Sequence, residues 1–517
     1  MLRTPEGARL GEPAPEGPGG PMTMLDLAPR CTTSPSPAQP QGEGAPSHRS
    51  RGSHDGADRD LPVVIPAAVA ALALVALRVL LAARLPGHGF DMWCFQDWGR
   101  LLARGDWLQF YDRARSGDHL PGDLVLHGLL ASAWAGAGGV IPSWGYGVAI
   151  KMVAILGDLG VAAAGGALVA RRRGPRAGWW TSVVLLGIPL PILVSSWWGQ
   201  WDAGSLALVL AAALLLDTPR RSTLAAGVAL LAWAMLIKPP LALVVLPLVV
   251  WRCARGGLPR SLARLVGCGL VGALTVSLLG VFFGVGLVAV GTRWSVLDRL
   301  SSAAGEFDAT TLGAVNVWMW LASPNGSDAQ LLLGVPVRAW GLAGVALWCA
   351  VSGVLAVRAR VWLQGVTLPL ALGASCLAGW HLLATRCHER YVVPAAVLAV
   401  VVAALDGRRV AWGAAAGLVA GGSTAVWLGL TAVVTGPDEL ALNRALAILV
   451  LVATDAALAA LQPAPSRECL AGEAQARGSR SPSPPSATTD LLTRELHEHP
   501  SHTLRPRPHE PAPAHRR

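Results

Sequence analysis

"GDLVLHGLLASAWAGAGGV", residues 122–140, is the stretch on which the topology turns. It is apolar enough to pass for a membrane span, yet it carries Asp123 and His127. If it crosses a bilayer, every later loop changes sides.

Outward from it lie hydrophobic runs at 61–83, 146–170, 179–194, 203–216, 222–237, 241–251, 265–289, 337–357, 361–384, 392–405, 410–434 and 440–461. A helix needs about 20 apolar residues to cross the hydrocarbon, so these make about 12 spans, several of them short. With 122–140 lying flat and the N-terminus inside, the loops "RRRGPR", "TPRR", "RCARGGLPRSLAR", "RAR" and "DGRR" all fall inside, with Asp217 and Asp406 their only acids. A crossing would put that arginine outside, against the positive-inside rule. The stretch therefore reads as an interfacial helix. Both termini are then cytoplasmic, in a multi-pass protein of the cytoplasmic membrane, and the first outside loop runs from about 86 to 145.

The composition agrees. Of 517 residues 53% are hydrophobic and 14% charged, too apolar for a soluble protein. The formal charge of +10 has its explanation in the inside loops, so nucleic acid is not called for. The flanks, 1–60 and 462–517, are rich in Pro, Gly, Ser, Arg and Glu, lack an apolar period and read as disordered cytoplasmic tails. No cleavable signal peptide is expected; the run at 61–83 serves as insertion signal and first span. Eight scattered Cys show no zinc-ligand spacing, and nothing but a shared outer side suggests a bond between Cys94 and Cys387.

The outside loop opens with "GFDMWCFQDWGRLL" from Gly89. Met92, Phe95, Trp98, Leu101 and Leu102 share one helical face, with Gln96, Arg100 and Arg104 on another, so this helix is expected to float at headgroup depth. Asp97 is three residues before Arg100, the spacing of a surface pair. Asp91 is either an N-cap or a carboxylate held rigidly at the surface, as a general base must be. Farther on, "SSWWGQWDAG" sets Gln200 and Asp202 among tryptophans, and Lys238 marks a tight outside hairpin. "TRCHERYVVP" packs Arg386, His388, Glu389, Arg390 and Tyr391 at another helix mouth, the strongest sign that this face does chemistry. Asp158 lies within a span, seven residues from Lys151 on the same face; a buried pair and a site-facing acid both fit. Neither GxxxxGK[ST] nor a strand followed by GxGxxG occurs, so energy is expected from a substrate already in the membrane.

In order and sidedness, "FDMWCFQDWGRLLARG…FYD", "IKMVAILGDLG", "SSWWGQWD", "IKPPLALVVLP", "AVNVWMWL" around Asn316 and "CHERYVVPA" resemble the GT-C superfamily of integral membrane glycosyltransferases. The likeness is to bacterial mannosyltransferase-like proteins related to the second mannosyltransferase of GPI-anchor synthesis, over about 61–405. Relatives carry Tyr-Pro-Pro where this chain has "DHLPGD", Asp118 to Asp123.

The resemblance implies an all-α, GT-C-like transmembrane bundle that passes a sugar, mannose by analogy, from a polyprenyl-phosphate donor to an extracytoplasmic glycolipid, glycan or protein, with inversion. It places the catalytic acid at Asp91. Lys238, Arg386, His388, Glu389, Arg390 and Tyr391 would hold donor phosphate and sugar; Asp97, Asp118, Asp158, Gln200, Asp202 and Asn316 would meet acceptor or sugar. Two acids beside a phosphate can hold a divalent ion, but the spacing does not require one, and no metal ligand or other cofactor is assigned. The competing readings are a multi-span transporter or lipid flippase, which would show inverted repeats and mid-span charges, and a non-catalytic scaffold.

Overall fold

Proline and glycine divide the hydrophobic body into helices. A computed structural model describes residues 55–432, apart from 256, 323–325 and 361–362. The expected tails lie outside the described residues except for 55–60, which are helical and open the first helix rather than belonging to a disordered tail; the run at 440–461 also lies outside, and the unit beginning at Ala57 holds the fold below.

In chain order the helices are α1 (Asp55–Arg84), α2 (Gly89–Ala103), α3 (Phe110–Arg113), α4 (Pro121–Gly136), α5 (Trp144–Arg173), α6 (Pro175–Gly187) and the single turn α7 (Pro189–Pro191). A π-helical segment, Ile192–Trp198, leads to α8 (Asp202–Leu216), α9 (Arg221–Ile237), α10 (Ala242–Cys253), α11 (Leu258–Gly280), α12 (Val296–Glu306) and α13 (Trp318–Leu321). The chain continues through α14 (Val337–Ala359), α15 (Thr367–Leu383), α16 (Val393–Asp406) and α17 (Arg409–Ala432). Two strand pairs interrupt them: β1 (Val285–Gly286) with β2 (Trp294–Ser295), parallel, and β3 (Leu331–Leu332) with β4 (Val335–Pro336), antiparallel.

Among the described residues four helices are long and apolar enough to cross a bilayer: Val64–Arg84, Trp144–Arg173, Leu258–Phe283 and Val337–Ala359. A fifth forms if Pro175–Gly187 and Pro189–Trp198, bent by 47°, count as one. The sequence expects about 12. Several of the others are shorter, because helices of 12 to 17 residues extend only about 18–26 Å. Pro189 and Pro191 break the third expected span, and Pro239 and Pro240 separate α9 from α10. The seventh starts at Leu258 and ends near Phe283 rather than running 265–289, since Gly284 turns the chain left-handed at φ 64°.

The core is the stack of α5, α6, α8, α15 and α16. In α16 every residue from Val393 to Leu405 except Val402 is buried, the pattern of a helix that is apolar all round. Close approach comes from small residues: a Cβ on Gly157 of α5 would meet the Gly204 backbone nitrogen of α8 at 2.5 Å. The periphery is the reverse. Leu262, Val266, Leu270, Leu274 and Leu278 form an exposed stripe along α11, and α1 and α14 show similar apolar faces. Surfaces of that extent are what lipid covers. The chain is a helical membrane protein.

The arginine-rich turns gather at one end of the bundle. Arg172 pairs with Asp217 at 2.6 Å, Arg173 Nη1 donates to the Ala404 carbonyl and Arg252 Nη2 to that of Thr218. Two expectations for the opposite end change. The apolar face of α2 is covered by protein rather than lipid, since Met92, Phe95, Trp98 and Leu102 are all buried against α4 and α5. Likewise α4, the stretch that decided the topology, is a 16-residue helix with Asp123 and His127 buried, packed on α2 and α9. Trp233 Nε1 donates to the Gly122 carbonyl at 2.8 Å.

Asp158 is not partnered by Lys151. Its carboxylate accepts from Arg78 Nε at 3.0 Å and from Ser195 Oγ at 3.1 Å, while Arg78 Nη1 donates to the Leu186 carbonyl at 2.6 Å. Lys151 Nζ instead donates to the carbonyls of Leu85 and Ala82. The pair thus ties α1, α5, the end of α6 and the π-helical segment at one buried point. Removing one member leaves the other charge unpaired, so Arg78→Met is expected to cost about 3–5 kcal/mol, whereas Arg78→Met with Asp158→Leu recovers most of it. Thermal melting of the purified protein checks this; equal melting points for the single and double variants would contradict it.

Candidate active site

The site grows from the first turn of α2. His88 is the N-cap residue and Asp91 lies inside the helix, so Asp91 is not the cap. The Asp91 amide donates to His88 Nδ1 at 3.5 Å, and the same nitrogen lies 3.7 Å from Asp91 Oδ1. It serves one or the other: a neutral ring accepts from the amide, a protonated ring faces the carboxylate. The positive end of α2 adds to this attraction.

The π-helical segment brings the second part. Trp198, its last residue, donates from Nε1 to Asp91 Oδ2 at 2.7 Å. Gly199 then turns left-handed at φ 92°, a conformation that glycine adopts without strain, and Gln200 delivers its amide to the same oxygen. Trp201 Nε1 reaches the Ile150 carbonyl at 3.1 Å and its ring stacks on His127 at 3.8 Å, so Asp202 opens α8 from a fixed point.

Arg390 is the centre. Its guanidinium lies over the Trp198 ring, 5.0 Å from the centroid. It sits 3.8 Å from Asp91 Oδ2, 3.7 Å from Asp202 Oδ2 and 3.9 Å from Glu389 Oε1, facing three carboxylates without a close hydrogen bond to any. Its Nε and Asp202 Oδ2 are both buried without a hydrogen-bond partner among the described residues. Lys238 pairs with Asp202 Oδ1 and lies 4.4 Å over the Tyr391 ring. Gly313 lets Glu389 fit: a Cβ there would meet Glu389 Oε2 at 2.3 Å, and φ is +83°.

Burial alone would raise the Asp91 carboxyl, but His88, the Arg390 guanidinium and Trp198 outweigh it and hold it well below the usual carboxylate range. Burial pushes Glu389 up against the pull of Arg390. Burial, with Arg390 and Lys238 nearby, keeps His388 far below the usual imidazole value.

These groups line a cavity of about 250 Å³ between α2, the 116–119 turn, Trp198 and Gln200, the 307–313 segment and residues 388–390. Of the expected residues, Asp91, Asp118, Gln200, His388, Glu389 and Arg390 face it, with Asp202, Lys238 and Tyr391 directly behind through the contacts above. Four lie elsewhere. Asp97 pairs with Arg100, Asp158 with Arg78, and Arg386 clamps Asp328 at 2.7 and 2.8 Å. Asn316 is fully buried, donating to the Ala384 carbonyl at 3.0 Å and accepting from the Trp318 amide. Each has its polar capacity committed to holding backbone or a neighbouring charge. Cys94 and Cys387 are both free thiols.

Sequence reasoning missed His88, Ser116, His119, Trp198 and Phe307, all on the cavity wall. Ser116 Oγ donates to Glu306 Oε1 at 3.0 Å, which ties the 116–119 turn to the end of α12. His119 pairs with Asp123; burial would lower its pKa, but that carboxylate raises it to about 9. The cavity wall therefore carries a protonated imidazole, paired with Asp123, at neutral pH. Its signal was present: a histidine between acids one residue before and four after, in the "DHLPGD" that departs from the resembled family.

No family model matches the chain, and no curated protein matches it. Among solved structures it is similar to ArnT from Cupriavidus metallidurans bound to undecaprenyl phosphate, with a TM-score of 0.43 and 14% identity over 78% of this chain and 75% of that one. It is also similar to ArnT from Cupriavidus metallidurans in the apo state, at 0.42 and 16%, over 75% and 73%. The undecaprenyl phosphate of the first is that protein's ligand.

The His119–Asp123 pair sets a pH dependence. The folded pKa, about 9, lies above the ordinary 6.5, so its stabilisation is complete below pH 6.5 and is lost as pH rises through 9. The difference in melting temperature between the wild type and His119→Gln is therefore expected to shrink between those values. A constant difference across that window would remove the charge from His119.

Proposed function

We propose that the chain is a membrane glycosyltransferase that moves a sugar, mannose on the sequence resemblance, from a polyprenyl-phosphate donor to a hydroxyl of an extracytoplasmic glycolipid, glycan or protein. The observation that carries this reading is the placing of Asp91 and Arg390, 3.8 Å apart, on one polar cavity at the mouths of apolar helices. A base and an anion-binding cation then meet at the depth of a lipid headgroup.

The donor phosphate takes the guanidinium of Arg390 where it lines the cavity. Lys238 holds Asp202 by one oxygen, so Asp202 does not neutralise Arg390 completely. The acceptor oxygen attacks the anomeric carbon from the side of Asp91 while the bond from that carbon to the phosphate oxygen breaks. The electron pair leaves with the polyprenyl phosphate, and the acceptor proton passes to Asp91. Direct displacement inverts the anomeric centre. Arg390 neutralises the departing phosphate. The arginine-rich end would face the cytoplasm of a cytoplasmic membrane, with the cavity outside.

The test is transfer by the purified protein in nanodiscs, given a panel of polyprenyl-phosphate sugars. Asp91→Asn is expected to lower kcat by about 10²–10⁴-fold with an unchanged melting profile. Asp97→Asn should stay within about threefold, because that carboxylate is buried against Arg100 and does not line the cavity. Full turnover by Asp91→Asn would falsify the assignment, and voltage-driven uptake with no glycosyl product would favour a transporter.

A further inference from the structure

At the arginine-rich end lies a second cavity of about 590 Å³, more than twice the volume of the first, between the start of α9, the end of α10 and the start of α11. Arg221, Arg252, Arg260 and Arg264 line it, and no acid does. Lys238 stands at the other end of α9, one helix length or about 25 Å away, so this cavity is separate from the candidate active site.

Arg252 is the informative residue. It is only 6% exposed, yet its Nε has no hydrogen-bond partner among the described residues; Nη2 alone donates, to the Thr218 carbonyl at 3.3 Å. A buried guanidinium with a vacant donor on a wall of like charges is unfavourable unless an anion completes it. Arg264 spends Nη1 on the carbonyls of Arg255 and Cys253, which holds its head beside the cavity. Arg221 and Arg260 are exposed on the rim. From this basic mouth the wall turns apolar through Leu224, Val228 and Val271. A compact oxyanion suits the arginine floor, and an attached hydrocarbon suits the wall above it.

We propose that this cavity binds a phosphate group, by bidentate arginine contacts centred on Arg252. A phospholipid headgroup and free phosphate share that chemistry, and two arms separate them. The full chain, purified in neutral detergent, is titrated with phosphatidylglycerol, with phosphatidylcholine and, separately, with inorganic phosphate. Thermal melting and native mass spectrometry are the readouts.

Phosphatidylglycerol is expected to raise the melting temperature saturably and to stay bound in the mass spectrum, with phosphatidylcholine at least tenfold weaker. Arg252→Gln should abolish the difference. Because that variant removes a buried group and can fail to fold, the rim double variant Arg221→Gln/Arg260→Gln is the second probe; it should need at least tenfold more phosphatidylglycerol. Saturable stabilisation by inorganic phosphate that the rim variant weakens would assign the same site to the free anion. No response to either phosphate source, or a rim variant that responds like the wild type, overturns the proposal.

Discussion

A guanidinium taken out of water has to be answered by charge, and at Arg390 the answer comes from three places in the chain. Asp91 belongs to α2, Asp202 to α8, and Glu389 adjoins the arginine itself. None approaches closer than 3.7 Å, so the attraction is real but no acid is committed to a fixed hydrogen bond. Such a centre holds distant segments together while leaving donors for a ligand. Trp198 supports it from below and ties the same point to the π-helical segment.

That segment links stability to the site. Ser195 donates to Asp158 in the buried Arg78–Asp158 knot, and Trp198, three residues on, donates to Asp91. A regular α-helix turns by about 100° per residue and would set those two side chains on nearly one face. The wider π-turn and the left-handed Gly199 fan out Ser195, Trp198 and Gln200 toward two different carboxylates. Irregular helix thus stands where the side chains diverge.

Helix positions were legible because bilayer-length apolar runs and the arginine bias are strong, long-range signals. α5 at Trp144–Arg173 against an expected 146–170 is an example. Legibility failed where local breakers compete with hydropathy, as at Pro189 and Gly284. It failed also for α12, whose capping box between Ser295 and Asp298 is written in the sequence but sits in a stretch with no apolar run. In the site, Asp91, Gln200 and Arg390 were visible as polar residues at helix mouths. Asp97, Asp158, Arg386 and Asn316 looked the same in sequence and proved to be bound elsewhere, since no one-dimensional pattern says that Arg386 meets Asp328 or that Asn316 meets Ala384.

The low proton affinity of Asp91 looks ill suited to a base. Its cause removes the difficulty. Against burial, the depression comes first from His88 and next from Arg390, with the Trp198 donor on Oδ2 adding to it. A phosphate seated on Arg390 cancels that positive charge, and a second negative group nearby further disfavours the ionised carboxylate. On the proposed function, donor binding would raise the basicity of Asp91 at the moment a base is required. The same guanidinium would then bind the leaving group and control the strength of the base, so the two functions cannot be separated by substituting Arg390 alone.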